Sequence, residues 1–473
     1  MRDGLIILIG RVLIMMTSIV SIRIFTTILS PTEIGRLNLL LGISGWFSMV
    51  LLSSIGTYMN RKILEWDDDG LAYKSLLLWF KYLLVVSIFA GCSTLILMQF
   101  IDLGIQIGGT WVLVIMIGTV LMGSGNSMII SLLNLFDKRF WFVFSSVMTS
   151  WIGLIIATSL TLWISRNAEH WILGQIISQG LLFLFATMIL LRFLKQKSTS
   201  KIQALNAGFD IKTMFRFVWP LTIAALLYWV QTQGYRFLFI EIADLKSLGF
   251  LVVGMGIGSS FMVAFDTLFS QYYHPIFYAE IAHSNEVQRT KAWNKYVSAF
   301  FPSAIMMAIF LAVNGPMLAV VFTGPEFHQV GTIVIWGVLA EFLRILSTAT
   351  SMISHAQLKM KALIAPAVTG VLVMLIAMIV LVPINTFHGG GLAITLGWVA
   401  SLMHLYKNMK TLLPVKIPWR RILYSSIMGL PLIIVYIFIN DILTVPTTVQ
   451  SLFILAISGL YFLITQFLLS RKW

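Results

Sequence analysis

The chain has 473 residues, of which 59% are hydrophobic and only 11% charged, and its mean hydropathy is +0.93. A soluble domain carries about 25% charged residues, so this composition excludes an ordinary water-soluble protein. The apolar segments run for about 20 residues and do not alternate over about 10, which predicts membrane-spanning helices and excludes barrel strands.

In chain order, fourteen apolar segments are long enough to cross a bilayer as helices. We therefore predict an all-α polytopic membrane protein. The predicted spans are residues 5–29, 34–58, 75–98, 109–134, 141–164, 171–194, 214–236, 246–270, 294–314, 329–352, 363–384, 390–406, 421–440 and 449–469. The longest loops, 195–213 and 271–293, are too short for a soluble domain, so the function is expected within the membrane.

Lys and Arg are distributed unevenly between the two sides of these spans. With the N-terminus placed inside, 24 of the 32 basic residues fall on inside segments and only Arg36, Arg166 and Lys246 fall outside. This asymmetry follows the positive-inside rule and predicts that both termini are cytoplasmic. It also accounts for the net charge of +14 as loop charge, so no nucleic-acid partner is predicted.

A weak internal repeat has a period of six spans. Arg23–Gly35 and Arg236–Gly249 each contain a basic residue, a short acidic turn and a glycine before a small-residue-rich run. Because six is even, both halves enter the membrane the same way round, as in transporters built from parallel repeats about a central cleft. We predict two six-helix bundles and two additional C-terminal helices, at residues 1–200, 201–410 and 411–473.

Three motifs resemble those of a known family. They are Leu29-Ser-Pro-Thr-Glu-Ile-Gly35, Phe322-Thr-Gly-Pro-Glu-Phe327 and the Gly-rich segment Pro383–Leu396. With the fourteen-span plan, they make the chain similar to the Wzx-type polysaccharide flippases of the multidrug/oligosaccharidyl-lipid/polysaccharide (MOP) exporter superfamily. The family often has a basic residue just before its first turn, whereas here Thr27 occupies that position and Arg23 lies one turn earlier.

The resemblance implies a flippase in the bacterial inner membrane. Its substrate would be an undecaprenyl-diphosphate-linked oligosaccharide, such as an O-antigen repeat unit of lipopolysaccharide, moved from the cytoplasmic to the outer leaflet. The implied mechanism is alternating access with a cationic cavity and antiport of H⁺ or Na⁺. The implied partners are this glycolipid, membrane lipids, a polysaccharide polymerase and a chain-length regulator. No cofactor and no catalytic residue is implied.

Four arginines within the spans are the candidates for binding a diphosphate. A charged residue at the bilayer centre costs about 2.5–3.5 kcal/mol on insertion scales, so it is expected to face a cavity or a partner. Arginine suits a diphosphate because its guanidinium presents several hydrogen-bond donors in a fixed planar arrangement and stays protonated. Aromatic and amide neighbours suit sugar rings. The candidate substrate-binding residues are Arg11, Arg23, Tyr228, Gln231, Gln233, Arg236 and Arg344. The alternative is that arginines near span ends extend to the lipid headgroups.

Two carboxylates within the spans are the candidates for ion coupling. Asp266 lies on span 8 and Glu341 on span 10. Glu341 precedes Arg344 by three residues, so the two are also expected to form a pair on one helix face. Coupling and structural pairing both remain open for these acids.

Motifs of other functional classes are absent or have simpler explanations. Gly254–Ser260 superficially suggests a nucleotide loop, but it lies inside an apolar run, which favours close helix packing. The Asp-x-Asp spacing in Asp67–Asp69 is better explained as a solvated turn. No Gly-Lys-Ser/Thr phosphate loop and no His-Glu-x-x-His zinc motif occurs in the sequence, so no metal site is predicted.

Three alternatives to the polysaccharide flippase remain. A drug exporter of the same superfamily should favour an acidic cavity, whereas the basic residues within these spans outnumber the acids. A peptidoglycan-precursor flippase transports a lipid with the same diphosphate and has the same span plan. The sequence therefore distinguishes it poorly from a polysaccharide flippase. A membrane polymerase or ligase needs a large outside loop, and the largest here, about 315–328, offers only Glu326 and His328.

Overall fold

The computed structural model describes residues 2–100, 107–197, 211–281, 284–357, 359–442 and 447–471. Within these ranges the chain is helical and contains no strand, which confirms the predicted fold class. The α-helices are α1 (Arg2–Ile28), α2 (Pro31–Trp46), α3 (Ser53–Asp68), α4 (Ala72–Phe100), α5 (Gly109–Gly118), α6 (Ser124–Leu135), α7 (Arg139–Trp163), α8 (Ala168–Lys197), α9 (Ile211–Trp229), α10 (Tyr235–Ile242), α11 (Leu245–Ile281), α12 (Glu286–Val313), α13 (Gly315–Phe322), α14 (Val334–Gln357), α15 (Ile364–Leu381), α16 (Thr386–Leu412), α17 (Trp419–Ile442) and α18 (Thr448–Arg471).

Three of the spans contain a turn of π-helix in their interior. Phe47–Leu52 joins α2 to α3, Thr119–Gly123 joins α5 to α6, and Val230–Gly234 joins α9 to α10. A π turn widens the helix by one residue and occurs frequently at functional sites. 3₁₀ turns occupy Pro325–Thr332 and Met360–Leu363.

Thirteen helices of the described chain are long and apolar enough to cross a membrane. The predicted twelfth span, 390–406, lies in α16, which is 27 residues long but is not among the thirteen. Its lower apolar content has a physical explanation. α16 packs between α14 and α15, where Gly397 lies so close to α15 that an added Cβ would be 2.8 Å from the carbonyl oxygen of Gly370. A helix enclosed by protein contacts less lipid and needs fewer apolar side chains.

The described chain divides into two compact units, Met1–Phe237 and Leu238–Trp473. The three-part division predicted from the repeat stays a prediction. Part of the loop 195–213, which contains its first boundary, lies outside the described residues. The cytoplasmic placement of the termini likewise stays a prediction.

The core of the first unit is formed by aliphatic side chains of α3, α4, α6 and α8. Buried members of this core are Met59, Ile63, Leu76, Leu83, Ile129, Leu133 and Leu190. α7 and α8 pack more closely still, because a Cβ added to Gly174 would lie 2.3 Å from the Cα of Ala157. Such close contact between helices is the expected use of small residues in a membrane.

The motif Leu29–Gly35 builds the start of α2 and ties it to α8. The Ser30 hydroxyl accepts a hydrogen bond from the Glu33 amide at 3.3 Å and so caps α2. Glu33 in turn accepts from the backbone N–H of Ala168, the first residue of α8, at 2.8 Å. Arg36 pairs with Glu33 at 2.8 Å and lies 3.8 Å from buried Glu169. We call Glu33, Arg36 and Glu169 the Glu33 cluster.

The predicted repeat has a local counterpart at the start of α11. There the Asp244 carboxylate accepts from the Ser247 amide at 2.7 Å, as Ser30 does from Glu33. Both caps follow the basic residues of the repeat, Arg23 and Arg236, and both precede a glycine-rich helix. The two segments therefore share a helix-capping turn as well as a sequence pattern.

The second unit is organised around the contact between α11 and α14. A Cβ added to Gly258 would lie 2.6 Å from the Val334 carbonyl oxygen, and one added to Gly337 would lie 2.1 Å from that of Met255. The predicted packing role of Gly254–Ser260 is thus confirmed. The contact is extended by α12, whose Trp293 indole donates to the carbonyl of Ala349 at 3.0 Å.

The two C-terminal helices pack against α12 and α13. On α17, the Ser425 hydroxyl donates to the Pro302 carbonyl at 2.6 Å. On α18, Ser458 donates to the Asn314 side chain at 3.1 Å. The outer faces of both helices carry exposed Ile, Leu and Phe side chains, as lipid-facing helices do.

Candidate functional site

Two of the candidate arginines lie on α1, far apart along the helix. Arg11 and Arg23 are separated by twelve residues of the continuous helix α1, which corresponds to about 18 Å along the axis and about 120° around it. Arg11 is exposed and Arg23 is half-buried. The two side chains therefore lie at different depths of the span and on different faces of α1.

The third candidate, Arg236, is tied to α2. Its Nη1 donates to the backbone carbonyl of Asn38 at 2.9 Å, and its guanidinium carbon lies 5.9 Å from the ring centroid of Tyr235. Its Nε has no hydrogen-bond partner among the described residues. The charge of Arg236 is thus half-buried and incompletely satisfied, as expected of a side chain that accepts a further anionic group.

The π segment Val230–Gly234 contains the candidates Gln231 and Gln233, and the candidate Tyr228 precedes it at the end of α9. Gln231 is buried, with 3% of its surface exposed, whereas Tyr228 is 41% exposed. Within the described chain, Nε2 of Gln231 and Oε1 of Gln233 have no hydrogen-bond partner. Just before this segment, the Trp229 indole donates to the carbonyl of Gly42 at 2.9 Å, which fixes the segment against α2.

The remaining candidates come together in the second unit. Arg344 on α14 donates from Nε to Glu341 at 2.7 Å, and its Nη2 lies 2.6 Å from the same carboxylate oxygen. Across the helix contact, Nη2 lies 3.4 Å from Oδ2 of Asp266 on α11. Ser270 donates to the other oxygen of Asp266 at 3.2 Å. The pair predicted between Glu341 and Arg344 is therefore present. We call Asp266, Glu341 and Arg344 the Arg344 cluster.

The register of α11 and α14 explains why these residues meet. The two helices run in the same direction, since Gly254 faces Ile333, Gly258 faces Val338 and Asp266 faces Arg344. Two carboxylates around one guanidinium give the cluster a net charge of −1 when both acids are ionised. Its exposed fractions are 18% for Arg344, 17% for Asp266 and 11% for Glu341. This geometry favours binding of a cation or proton over binding of a diphosphate.

A polar cavity in the first unit was missed by the sequence reasoning. It has a volume of about 510 Å³ and lies among α2, α3, α4, α6, α8 and the first two π turns. Gly45 and Ser124 belong to small-residue patches of the sequence, and both line this cavity. The recurrence of serines at intervals of three or four residues, as in Ser124, Ser127 and Ser131, was the available signal.

Solved structures similar to this chain are membrane transporters. The lipid II flippase MurJ in its inward closed conformation superposes with a TM-score of 0.67, at 16% identity over 99% of both chains. An inward-facing MATE-family multidrug transporter of the MOP superfamily gives a TM-score of 0.62, at 13% identity over 85% of this chain and 98% of that one. The eukaryotic MATE transporter AtDTX14 gives 0.52, at 14% identity over 90% and 97%. The chain has the MOP-type transporter fold.

No protein-family model and no curated protein matches the chain. At these low identities the structural similarities show the fold and not the substrate. The MOP-type fold and the many spanning helices together make the chain a multi-pass membrane protein. The predicted roles of the seven substrate-binding candidates and of the two coupling acids stay predictions.

Proposed function

We propose that this protein is a flippase for an undecaprenyl-diphosphate-linked oligosaccharide in the bacterial inner membrane. It would carry the glycolipid from the cytoplasmic to the outer leaflet by alternating access and would not act as an enzyme. The similarity to a lipid II flippase over 99% of both chains carries the proposal of a lipid-linked substrate, and the three motifs that resemble polysaccharide flippases favour a repeat unit as its glycan. The half-buried Arg236 supports it, because its Nε has no hydrogen-bond partner among the described residues and an intramembrane arginine usually faces a cavity or a partner.

The candidate residues divide into two roles under this proposal. Arg11, Arg23, Arg236, Tyr228, Gln231 and Gln233, all in the first unit, would contact the diphosphate and the adjoining sugar. Arg344, although proposed from the sequence as a substrate ligand, would act with Asp266 and Glu341 in coupling transport to H⁺ or Na⁺. Its positive charge is already offset by two carboxylates. The separation of Arg11 from Arg23 implies that the substrate contacts them at different stages of transport.

Two other functions have specific support. A peptidoglycan-precursor flippase is favoured by the MurJ similarity itself, because its lipid II substrate carries the same diphosphate. A small-molecule exporter is favoured by the MATE similarity and by the net negative Arg344 cluster, which suits a cationic solute. Both would use the same fold, so the test must compare substrates.

The deciding experiment measures the sidedness of lipid-linked oligosaccharide in cells lacking the protein, with a probe that reaches only the outer face. Glycolipid retained in the cytoplasmic leaflet, and released by the wild type but not by Arg23→Ala with Arg236→Ala, is the expected result. Lys81→Ala is the matched control, since Lys81 is an exposed basic residue within α4. Normal delivery of the oligosaccharide without the protein, in cells with no second flippase, would overturn the proposal.

Reconstitution in proteoliposomes separates the substrate classes. Undecaprenyl-diphosphate carrying a polysaccharide repeat unit, lipid II and a cationic dye are offered in turn. Preferential movement of the repeat-unit lipid supports the proposal. Preferential movement of lipid II or of the dye would assign the chain to one of the two other functions.

A further inference from the structure

The cavity of the first unit is lined by neutral polar side chains. Ten of its lining residues carry a hydroxyl or an amide, and none carries an ionisable group. The polar lining residues are Ser44, Ser48, Ser53, Thr57, Asn60, Thr119, Ser124, Ser127, Ser131 and Gln179. We call this space the hydroxyl cavity. A neutral lining discriminates against both a free cation and a diphosphate, because neither would find an opposite charge there.

The hydroxyl cavity contains hydrogen-bonding groups that the described chain leaves unused. Oδ1 of Asn60, Oγ1 of Thr119, Oε1 of Gln179 and Nε1 of Trp79 are buried and have no hydrogen-bond partner among the described residues. Trp79 is only 4% exposed. An unpaired polar group inside a membrane protein is costly, so each is expected to have a partner when the protein works. The oxygens of Asn60 and Gln179 are acceptors, and the indole N–H of Trp79 is a donor. The Thr119 hydroxyl can both donate and accept.

Two hydrogen bonds connect the walls of the cavity and fix their spacing. Ser124 donates to Ser48 at 3.0 Å, and the amide of Asn60 donates to Ser131 at 3.2 Å. Ser48 and Asn60 lie twelve residues apart on the same continuous span, which corresponds to about 18 Å. The cavity therefore extends along the span, and its volume of about 510 Å³ lies within the range of about 300–1,000 Å³ typical of ligand pockets.

π turns interrupt both spans that form these walls. Ser48, Met49 and Leu52 come from the first π turn, and Thr119 and Gly123 come from the second. A π turn directs an additional side chain into the same face of a helix, which helps to explain the density of polar groups. The cavity is therefore a pocket between two spans that each contain a π turn, and it is not explained by small residues alone.

We propose that the hydroxyl cavity binds an uncharged sugar of the transported glycolipid. A sugar presents several hydroxyls that each donate and accept, which matches the mixture of unpaired donors and acceptors. The unpaired indole N–H of Trp79 offers one more donor to such a hydroxyl. This inference rests on the proposed function and deepens it. The arginines would recognise the lipid diphosphate, and the hydroxyl cavity would recognise the glycan.

The test compares two probes on the full chain in lipid nanodiscs. One probe is undecaprenyl diphosphate, and the other is undecaprenyl diphosphate carrying a neutral disaccharide. The wild type is expected to bind the glycosylated probe more tightly. The variant Thr57→Val with Asn60→Leu keeps side-chain volume but removes a hydroxyl and an amide from the lining. It is expected to reduce that preference about tenfold and to leave the affinity for the bare diphosphate lipid unchanged.

Two further variants make the outcome interpretable. Ser18→Ala with Ser93→Ala is the control, because these hydroxyls bond their own helix backbones, as that of Thr57 does, but do not line the cavity. Thr57→Val alone changes one exposed side chain and keeps the test valid should the double variant fold poorly. Equal affinity of the wild type for both probes, or an unchanged preference in the cavity variants, would overturn the sugar site while leaving the flippase in place. Binding of neither probe would instead overturn the proposed function.

Discussion

Asp266 and Arg344 form an ion pair between α11 and α14, with 3.4 Å between Oδ2 and Nη2, although they are 78 positions apart in the chain. Glu341 contacts the same guanidinium, so the cluster keeps one negative charge in excess. Such an excess attracts a cation, and its neutralisation weakens the link between the helices. Under the proposed coupling role, ion binding at this cluster would act on the packing of two long helices in the second unit.

Asp266→Asn is expected to weaken coupling without unfolding the protein. The substitution leaves Arg344 paired with Glu341 and makes the pair neutral, at a cost in stability of about 1 kcal/mol. In proteoliposomes, the stimulation of glycolipid movement by an imposed H⁺ or Na⁺ gradient should fall about tenfold, within the usual range of coupling energies. Glu280→Gln is the control, since Glu280 pairs with Lys295 in a more exposed position. Undiminished stimulation in Asp266→Asn would remove Asp266 from the coupling mechanism.

Gly337→Ala is expected to separate α11 from α14. Its Cβ would lie 2.1 Å from the Met255 carbonyl oxygen, which is backbone and cannot move aside as a flexible side chain does. Overpacking of this kind costs about 1–3 kcal/mol, so the thermal unfolding midpoint in detergent should fall. Gly256→Ala is the matched control on α11, because its Cβ meets nothing within 4 Å. An unchanged midpoint in Gly337→Ala would contradict the close packing of these helices.

Arg36→Ala is expected to destabilise the first unit through the Glu33 cluster. Removal of the cation leaves Glu33 and the buried Glu169 as two acids without a compensating charge. Loss of one partner from a buried pair costs about 3–5 kcal/mol, and the partial exposure of Arg36 places the expected loss near or below the lower limit. Lys62→Ala is the control. It breaks the Lys62–Glu65 pair, which has the same three-residue spacing but is far more exposed, and should cost about 0.5 kcal/mol or less. Equal effects of the two substitutions on thermal unfolding would argue against the cluster.

The sequence was sufficient for features that depend on local spacing. Apolar segments of membrane-spanning length located the helices, as for the span predicted at 141–164 and observed at Arg139–Trp163. The Glu341–Arg344 pair followed from a three-residue interval on one helix face. Asn285 and Gln288 form a capping box that starts α12 eight residues before the predicted span, and that signal was present in the sequence but not used.

Features that depend on the meeting of distant segments could not be predicted. The contact of Asp266 with Arg344 requires the register of α11 against α14, and a single sequence does not contain that register. The π turns are invisible for a related reason. The residues of the first two, Phe47–Leu52 and Thr119–Gly123, have the same apolar character as the α-helices around them. The hydroxyl cavity depends on the register between helices and on the π turns, since two spans must align and each must contain a π turn.

Gln231→Leu is expected to raise stability and lower transport, a combination that a purely structural residue would not give. Gln231 is buried, and its Nε2 has no hydrogen-bond partner within the described chain. Replacement of an unsatisfied buried amide by an apolar side chain of similar size should stabilise the protein by about 1 kcal/mol. If the amide is kept for the substrate, glycolipid transport should fall at the same time.

Gln466→Leu is the matched control for this prediction. The Gln466 amide donates to the Ser303 carbonyl at 3.1 Å, so its loss leaves a carbonyl without that donor and should lower the unfolding midpoint. The two substitutions therefore make the same chemical change with opposite expected signs in thermal unfolding. Stabilisation by Gln231→Leu with transport intact would show that Gln231 has no role in substrate binding. Destabilisation would show instead that its amide has a structural partner. An unsatisfied amide would then no longer support placing the π segment Val230–Gly234 in the binding site.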